Sequence, residues 1–469
     1  MSTGERNTMK NLTQGNIVKN FFLFSAPLVL AGLFSQTYNI VDTAIAGRFL
    51  GEEGLAAIGA TSGYSTLFSS LFIGLSSGFS VYVARCFGMG DYVRIKRGIR
   101  TYLTLCLGAG LLITLLTFLF LNPIFNLLQI KQEIRSAATT YFLITFGISS
   151  LSYVSVACVF TLNALGISSF TFWMSLLSGV INVAGNLLTV AWLGWNVEGL
   201  ALSTALATVT VTVLYYARLN KCFTEMGVQN EKTGLELSEI KNAMPYMLPI
   251  MVQQLFIYLA GIVISPILNA TGTAAIASYV VANQLLTVNN TTYQNSFRAV
   301  SNYGAQCMGS SEPVEKKRKM LKQGLLWGVA QGFFFISFTL LPCILFPNLV
   351  VSVFMKEDAG AQAYELALLF VRVFLPFILF NVINSLFHAH FRGVKNMKYL
   401  LISTVLGSVA RIAASVPLTL SLGIKGFYIG LVVGWVIEPL FLLILCLLGK
   451  WLPKELRPQK KKKPLPTAE

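Results

Sequence analysis

Charge is scarce in this chain. Only 12% of its 469 residues are Asp, Glu, Lys or Arg, and 55% are hydrophobic, whereas an ordinary soluble protein carries about 25% charged residues. Apolar stretches recur along the whole sequence, each near the ~20 residues that a membrane-spanning helix needs. The composition therefore excludes an ordinary soluble domain and predicts an all-α polytopic membrane protein.

Histidine is nearly absent, and the cysteines form no motif. The two histidines, His388 and His390, are two positions apart and so do not share a helical face. The seven cysteines are scattered, without a CxxC pair, which argues against a disulfide framework or a zinc site. A membrane-embedded transferase would need His, Asp or Glu clustered at one membrane face, and no such cluster is visible. We therefore predict no catalytic residues and no enzyme.

Hydropathy divides the apolar part of the chain into twelve predicted spans. In order they are 19–46, 55–83, 98–121, 137–160, 168–193, 197–218, 244–268, 274–299, 324–346, 363–388, 399–421 and 426–449. Of the Lys and Arg residues between or beside them, 27 fall on the side of the N-terminus and 5 on the other side. By the positive-inside rule, the protein is a multi-pass protein of the cell membrane with both termini cytoplasmic and the loop near Glu357 outside.

The same charge distribution argues against nucleic acid as the reason for the net charge of +16, because the basic residues lie in alternate loops and in the tail. The KKKK run at 460–463 is typical of a cytoplasmic segment that faces lipid or sets the topology. We expect the partners to be the lipid bilayer and a small-molecule substrate, with no nucleic acid, and we expect a monomer.

A charged stretch between Lys221 and Lys241 divides the chain into two halves that resemble each other. Pro27 matches Pro245, Gln36 matches Gln254, and ARCFGMGD (84–91) matches AQCMGSSE (305–312). Six spans per half give both halves the same orientation, with a binding site expected between them near the midplane. The predicted units are a cytoplasmic N-terminus (1–18), a first six-helix bundle (19–218), a cytoplasmic linker (219–243), a second bundle (244–449) and a basic tail (450–469).

One carboxylate interrupts the first span. Asp42 is the only acidic residue in the interior of the predicted spans of the first half, and the second half repeats the surrounding stretch without it. A carboxylate inside a membrane costs at least a few kcal/mol, so it usually faces a protein interior or a watery cavity. Asp42 is therefore the first candidate for a functional residue.

Three segments carry a family resemblance: APLVLAGLFSQTYNIVDTAIAGRFLGEEGLAAIG (26–59), GMGDYVRIKRG (88–98) and RGVKNMKY (392–399). With them the chain resembles the multidrug and toxic compound extrusion (MATE) family of secondary transporters. The resemblance implies two six-helix bundles around a V-shaped central cavity, and export driven by inward flow of H⁺ or Na⁺ with no other cofactor.

The resemblance also directs attention to particular positions. The family commonly keeps an acid in its first span, which Asp42 matches. Some members place an Asn and an Asp four apart in the fifth span, where this chain has Asn182 and Asn186. Other members carry acids in the seventh and tenth spans, where this chain offers the amides Gln253 and Gln254, and Asn381. Any coupling should therefore depend on Asp42.

These residues form two candidate sites. The ion-coupling site in the first bundle would consist of Asp42, Asn182, Asn186, Gln36 and Thr204. Its carboxylate would take up and release a proton, or its oxygens would hold Na⁺, which is the one metal site considered. Alternatively, these groups only hydrogen-bond helices together.

The substrate cavity would be lined by Tyr38, Gln253, Gln254, Asn381, Arg372, Arg411 and Glu438. At ~1.5 Å per residue, the last three lie near the midplane. They form either a cationic lining for an acidic substrate group, or a structural Arg411–Glu438 pair plus a snorkelling Arg372. Arg298, at the end of the eighth span, is expected at the interface.

The sequence thus predicts a secondary-active antiporter that exports small organic molecules by alternating access, with inward H⁺ or Na⁺ flow through Asp42. A flippase or exporter for an anionic lipid-linked or acidic substrate remains open, as do, more distantly, a membrane-embedded transferase and a channel.

Overall fold

The computed structural model describes residues 9–231, 234–355 and 360–457, and these are helical with no β-strand. Several expectations fall outside these ranges. They concern the first eight residues, positions 232–233 of the linker, the loop at Glu357 and the KKKK run of the tail. The prediction of an all-α polytopic membrane protein is confirmed.

Twelve long helical segments follow one another along the described chain, and we number them helix 1 to helix 12. They are Ile17–Phe49, Gly51–Met89, Tyr92–Leu119, Gln132–Gly147 with Ser149–Ala164, Ser168–Trp192, Val197–Glu225, Leu237–Asn269, Thr273–Gly309, Val314–Leu345, Ala361–Gly393, Met397–Leu422 and Ile424–Leu447. Helix 4 is the two-part member and bends by 45° between its parts. Short helices at Leu121–Leu127, Pro347–Ser352 and Lys454–Leu456 lie outside this set.

Helix 8 is the exception in composition. In the described ranges, ten helices are long and apolar enough to cross a membrane, and the two parts of helix 4 together make an eleventh span. Helix 8 has 37 residues but carries many amides, among them Asn283, Asn290, Gln294 and Asn295. Because helices 7 and 9 start at the same end of the molecule, helix 8 must return through the membrane between them. Its amides line an internal cavity and so avoid lipid.

We call the end of the molecule that carries the loop residues 90–91, 165–167, 226–231, 234–236, 310–313 and 394–396 the basic face. Next to it, Lys96 is buried at the start of helix 3. Its Nζ donates hydrogen bonds of 2.8, 2.9 and 2.8 Å to the carbonyls of Val228, Gln229 and Glu231. Three carbonyl acceptors match the three donors of an ammonium group. Lys96 therefore fastens the segment that joins the two halves to the first bundle.

At the basic face the two halves are in direct backbone contact. A Cβ atom on Gly88 of helix 2 would overlap the carbonyl of Gln306 on helix 8, and a Cβ on Gly309 would overlap the carbonyl of Arg85. In the match of ARCFGMGD with AQCMGSSE, Arg85 pairs with Gln306 and Gly88 with Gly309. One contact is thus made twice, once by each half. We call these four residues the basic-face seal.

Further bonds between the halves surround this seal. The Arg94 Nε–Glu239 Oε2 ion pair measures 2.9 Å and joins helix 3 to helix 7. The backbone N–H of Leu12 donates to Gln306 Oε1 at 2.8 Å. Farther into the membrane, a Cβ on Gly74 would come within 2.7 Å of the Met251 Cα, so helices 2 and 7 also pack backbone to backbone. The basic-face half of the molecule is therefore closed.

Candidate functional site

A cavity of about 980 Å³ lies between the two bundles. Helices of both halves line it, and its walls are rich in amides and hydroxyls. It is large enough for a drug-sized molecule. The seal closes it toward the basic face, so the cavity has the depth and closure of a binding site between two halves.

Most of the residues predicted for the substrate cavity line it in the structure. They are Tyr38, Gln253, Gln254, Asn381, Arg411 and Glu438. Tyr38 approaches the cavity from the first bundle, and the others come from helices 7, 10, 11 and 12 of the second. The sequence match between halves had placed the site between them, and the position of this cavity agrees.

Arg372 is the cavity residue that the structure places elsewhere. It is exposed, and its Nη2 donates to Asn348 Oδ1 at 2.8 Å, away from the cavity. Between Arg372 and Asn381 the backbone changes from a π-helical turn (Phe370–Phe374) to a 3₁₀ turn (Leu375–Phe377). The depth of Arg372 along helix 10 therefore does not fix the direction in which its side chain points. The expectation that Arg372 lines the cavity is wrong.

Gln36 is also in a different place from the one expected. It lines the cavity and donates its Nε2 to Thr291 Oγ1 of helix 8 at 3.2 Å. Six residues along a helix correspond to ~600°, or about 240° around the axis, so Gln36 and Asp42 point in different directions. Gln36 therefore joins the two bundles and does not belong to the Asp42 cluster.

The other members of the predicted ion-coupling site are joined in one hydrogen-bonded chain. Asn186 Nδ2 donates to the Asp42 carboxylate. The same amide nitrogen lies 3.2 Å from Asn182 Oδ1, and Asn182 Nδ2 donates to Thr204 Oγ1 at 2.9 Å. Asn182 and Asn186 are four residues apart, and this spacing puts both on the same face of helix 5. The chain connects helices 1, 5 and 6 inside the first bundle.

This cluster suits a proton or a small hard cation. Its oxygen atoms comprise a carboxylate, two amide oxygens and a hydroxyl, which are the ligand types that hard cations prefer. The Asn186 Oδ1 atom is buried and has no hydrogen-bond partner among the described residues. A buried acceptor without a donor is costly, so a cation or a protonated Asp42 would improve its environment.

The second bundle contains a separate polar network around Glu438. Asn384 Nδ2 donates to Glu438, and His388 Nε2 lies 3.9 Å from the same carboxylate oxygen. His388 Nδ1 is 3.0 Å from Gln253 Nε2, and its Nε2 is 3.0 Å from Ser403 Oγ. His388 is thus a buried hydrogen-bonding centre of the second bundle.

Arg411 and Glu438 line the same cavity and act on each other electrostatically. They do not form a direct ion pair within the described ranges. Arg411 Nε is buried without a hydrogen-bond partner there. The structural pair considered for these two residues is therefore a longer-range interaction across the cavity wall.

Sequence reasoning missed two cavity arginines. Arg298 was expected at the interface, and Arg392 was counted among the topology-setting loop charges, yet both line the cavity. Both arginines were misplaced because helix 8 continues to Gly309 and helix 10 to Gly393, beyond the ends predicted from hydropathy. The polar run at 289–295, next to Arg298, was the available signal that helix 8 faces a cavity.

Comparison with known families identifies the protein family of this chain. The MatE family model matches the chain twice, over residues 27–188 and 249–416, which together make up most of the sequence. The chain belongs to the MatE family. The resemblance seen in the sequence is thereby confirmed, and the protein is a member of a transporter family with one family match in each half.

Among the relatives of this MatE protein is the "Probable multidrug resistance protein YoeA" of Bacillus subtilis (strain 168). It is 23% identical over 354 residues, which cover 73% of this chain and 74% of YoeA. The "Multidrug export protein MepA" of Staphylococcus saprophyticus is 26% identical over 286 residues, covering 58% of this chain and 60% of MepA. The match to MepA thus spans less than two thirds of that relative.

Solved structures show the same MatE fold. One is the outward-facing conformation of a multidrug resistance MATE family transporter of the MOP superfamily. It has a TM-score of 0.84 at 19% identity, with 95% of this chain and 99% of the other covered. A MATE structure in the bent conformation has a TM-score of 0.81 at 20% identity and covers 95% and 98%. At these identities the likeness establishes the fold.

Proposed function

We propose that this MatE protein is a secondary-active antiporter that exports small organic molecules by alternating access, coupled to inward flow of H⁺ or Na⁺ through Asp42. One observation carries the proposal. Helix 1 holds Asp42 in the cluster of the first bundle and, through Gln36, contacts Thr291 of the second bundle. A change of protonation or ion binding at Asp42 therefore acts on a helix that touches both halves.

Alternating access requires a cavity that opens to one side at a time. In this structure the contacts of the basic-face seal close one side. Toward the other face, a Cβ atom on three glycines of helices 1, 2 and 7 would meet no described atom within 4 Å outside its own helix, namely on Gly47, Gly59 and Gly261. If the seal opened while these helix ends came together, the cavity would open toward the basic face and close toward the other face. Asp42 would set the balance between the two arrangements, because an ion shifts an equilibrium only if it binds the two states differently.

Transport in proteoliposomes tests the proposal. We expect uptake of a cationic fluorescent dye against its concentration gradient when an H⁺ or a Na⁺ gradient is imposed in the exchange direction. An ionophore that dissipates the effective gradient should stop this uptake. Dye movement that only equilibrates, with no response to either ion, would instead support a channel or a facilitator.

The charge distribution gives a topology prediction. In a variant without its native cysteines, Asn230→Cys at the basic face should react with an impermeant thiol reagent only after the cells are permeabilised. Gln132→Cys, near the opposite face, should react in intact cells. Both side chains are exposed. The physical reason is the excess of Lys and Arg on the side of the basic face. The reverse labelling pattern would contradict the proposed orientation.

A flippase for an anionic lipid-linked substrate is the second candidate, and the arginines of the cavity wall favour it. A lipid assay separates the two functions. A flippase moves a fluorescent anionic lipid between leaflets of proteoliposomes, whereas an exporter of soluble compounds leaves its distribution unchanged while transporting the dye.

A further inference from the structure

The end of the cavity next to the basic-face seal carries two arginines without an acidic partner. The Arg298 guanidinium lies 4.3 Å from the ring centroid of Phe160 and makes no hydrogen bond to any residue that the structure describes. Arg392 Nη1 donates to Ser77 Oγ at 3.0 Å, and its Nε is buried without a partner. We call Arg298, Arg392, Ser77 and Phe160 the arginine floor. The two arginines belong to the second bundle, and Ser77 and Phe160 belong to the first.

Glycines bring the two arginines together. A Cβ on Gly393 of helix 10 would lie 2.7 Å from the Ser301 carbonyl oxygen and 3.2 Å from the Gly304 Cα of helix 8. Helices 8 and 10 therefore touch at their backbones, one residue beyond Arg392. Arg298 lies one turn before Ser301 and Arg392 directly before Gly393, so the two like charges are on touching helices and line the same cavity. Two like charges in a poorly solvated site repel each other strongly.

The rest of the cavity does not neutralise this floor. Its described lining contains three arginines, Arg298, Arg392 and Arg411, and one carboxylate, Glu438. Glu438 is hydrogen-bonded by Asn384 and interacts with Arg411. The arginine floor thus keeps its positive charge. An arginine within a membrane is costly unless water, a carbonyl or an anion meets it.

We propose that the arginine floor binds the carboxylate or phosphate group of an organic substrate, so that this transporter accepts acidic and zwitterionic amphiphiles. The inference rests on the proposed export function and names a substrate class for its cavity. A planar guanidinium donates two parallel hydrogen bonds to such an anion. Phe160 offers an apolar surface beside Arg298 for the rest of the molecule. An anion here would also relieve the repulsion between Arg298 and Arg392.

The charge of the substrate can be tested with two dyes of one scaffold. Tetramethylrhodamine with a free carboxylate and its methyl ester have the same ring system and differ in the anionic group. Binding of each is measured by fluorescence polarisation to the full-length protein in nanodiscs of neutral phosphatidylcholine, so that anionic lipid does not compete. We expect the wild-type protein to bind the acid at least as tightly as the ester. Preference for the ester by more than about tenfold would overturn the proposal.

Variants locate the site. Arg298→Gln and Arg392→Gln should each weaken binding of the acid by about tenfold or more, as expected for loss of a hydrogen bond between charged groups, and change binding of the ester by much less. Arg298→Lys keeps the charge without the planar fork and should bind the acid with intermediate strength. It also provides a readout if a Gln variant folds poorly.

One control variant separates binding from structure. Arg372→Gln removes an arginine outside the cavity and should leave the acid-to-ester ratio at the wild-type value. Equal weakening of both dyes in the Arg298 and Arg392 variants would show that the arginines only hold the bundles together, and would overturn the anion site.

The dyes also distinguish failure of this inference from failure of the proposed function. Gradient-driven transport of the ester without measurable binding of the acid would leave the exporter function intact and reject the arginine floor as an anion site. Binding of the acid without gradient-driven transport of either dye would support the arginine floor as an anion site and reject the proposed exporter function.

Discussion

Asp42→Asn is expected to reduce gradient-driven dye transport in proteoliposomes by ~10- to 100-fold while leaving dye binding nearly unchanged. The substitution keeps the size of the side chain and a group that can hydrogen-bond with Asn186. It removes the negative charge that a proton or Na⁺ would neutralise. Coupling between two sites typically amounts to about 1–3 kcal/mol, which corresponds to this range of effects. Initial rates under H⁺ and Na⁺ gradients, measured separately, would also identify the coupling ion.

Glu53→Gln is the matched control for this variant, because Glu53 is an exposed carboxylate in the first turn of helix 2, just beyond the C-terminal end of helix 1. It should transport at the wild-type rate. Unchanged transport in Asp42→Asn would show that Asp42 is not the coupling group. Glu438→Gln would then be the next variant to measure, since Glu438 is the only carboxylate of the described cavity lining.

Gly309→Ala is expected to open the basic-face seal. A methyl group there would overlap the Arg85 carbonyl, so helices 2 and 8 would have to separate. Overpacking of a close contact costs typically about 1–3 kcal/mol, enough to shift the conformational equilibrium by roughly 5- to 150-fold. Alanine is a better helix former than glycine, so a loss of closure would come from the contact between the halves.

A buried cysteine can report this opening. Ala305 is fully buried on helix 8 and packs with residues of the first bundle. In a variant without native cysteines, Ala305→Cys should react slowly with a thiol reagent, and Gly309→Ala should accelerate the reaction and slow transport. Gly108→Ala is the control, because Gly108 has no neighbour within 4 Å. Equal labelling rates in all three backgrounds would refute the role assigned to the seal.

The sequence predicted those parts of the structure that depend on local pattern. Hydropathy located the spans because each apolar helix has to cover a fixed membrane thickness. The spacing of Asn182 and Asn186 predicted a shared face, and Asp42 stood out as an unmatched acid. Each of these features depends on the residues of one helix or on the comparison of two sequence segments. They can therefore be predicted without knowing how the helices pack.

The errors concern how helices are rotated and how far they extend. Gln36 was grouped with Asp42, although a separation of six residues turns it toward the second bundle. Arg372 was assigned a depth without a direction around the axis of helix 10. Arg298 and Arg392 were misplaced because hydropathy ends a span where polar residues begin, whereas both helices continue along the cavity. A cavity between two bundles is formed by long-range contacts that no single segment encodes.

The matched contact in the basic-face seal has a further consequence. Gly88 meets Gln306 as Gly309 meets Arg85, so each half presents the same patch to the other, as the subunits of an isologous dimer do. A closure of this kind needs only one surface, used twice. Asp42, in contrast, occurs in the first half only, and the two arginines of the arginine floor occur in the second half only. We therefore expect Gly88→Ala and Gly309→Ala to open the seal to a similar extent, whereas substitutions at the charged sites have effects that depend on which half carries them. The contacts that close this protein are thus related by two-fold symmetry, whereas its charged functional residues are not.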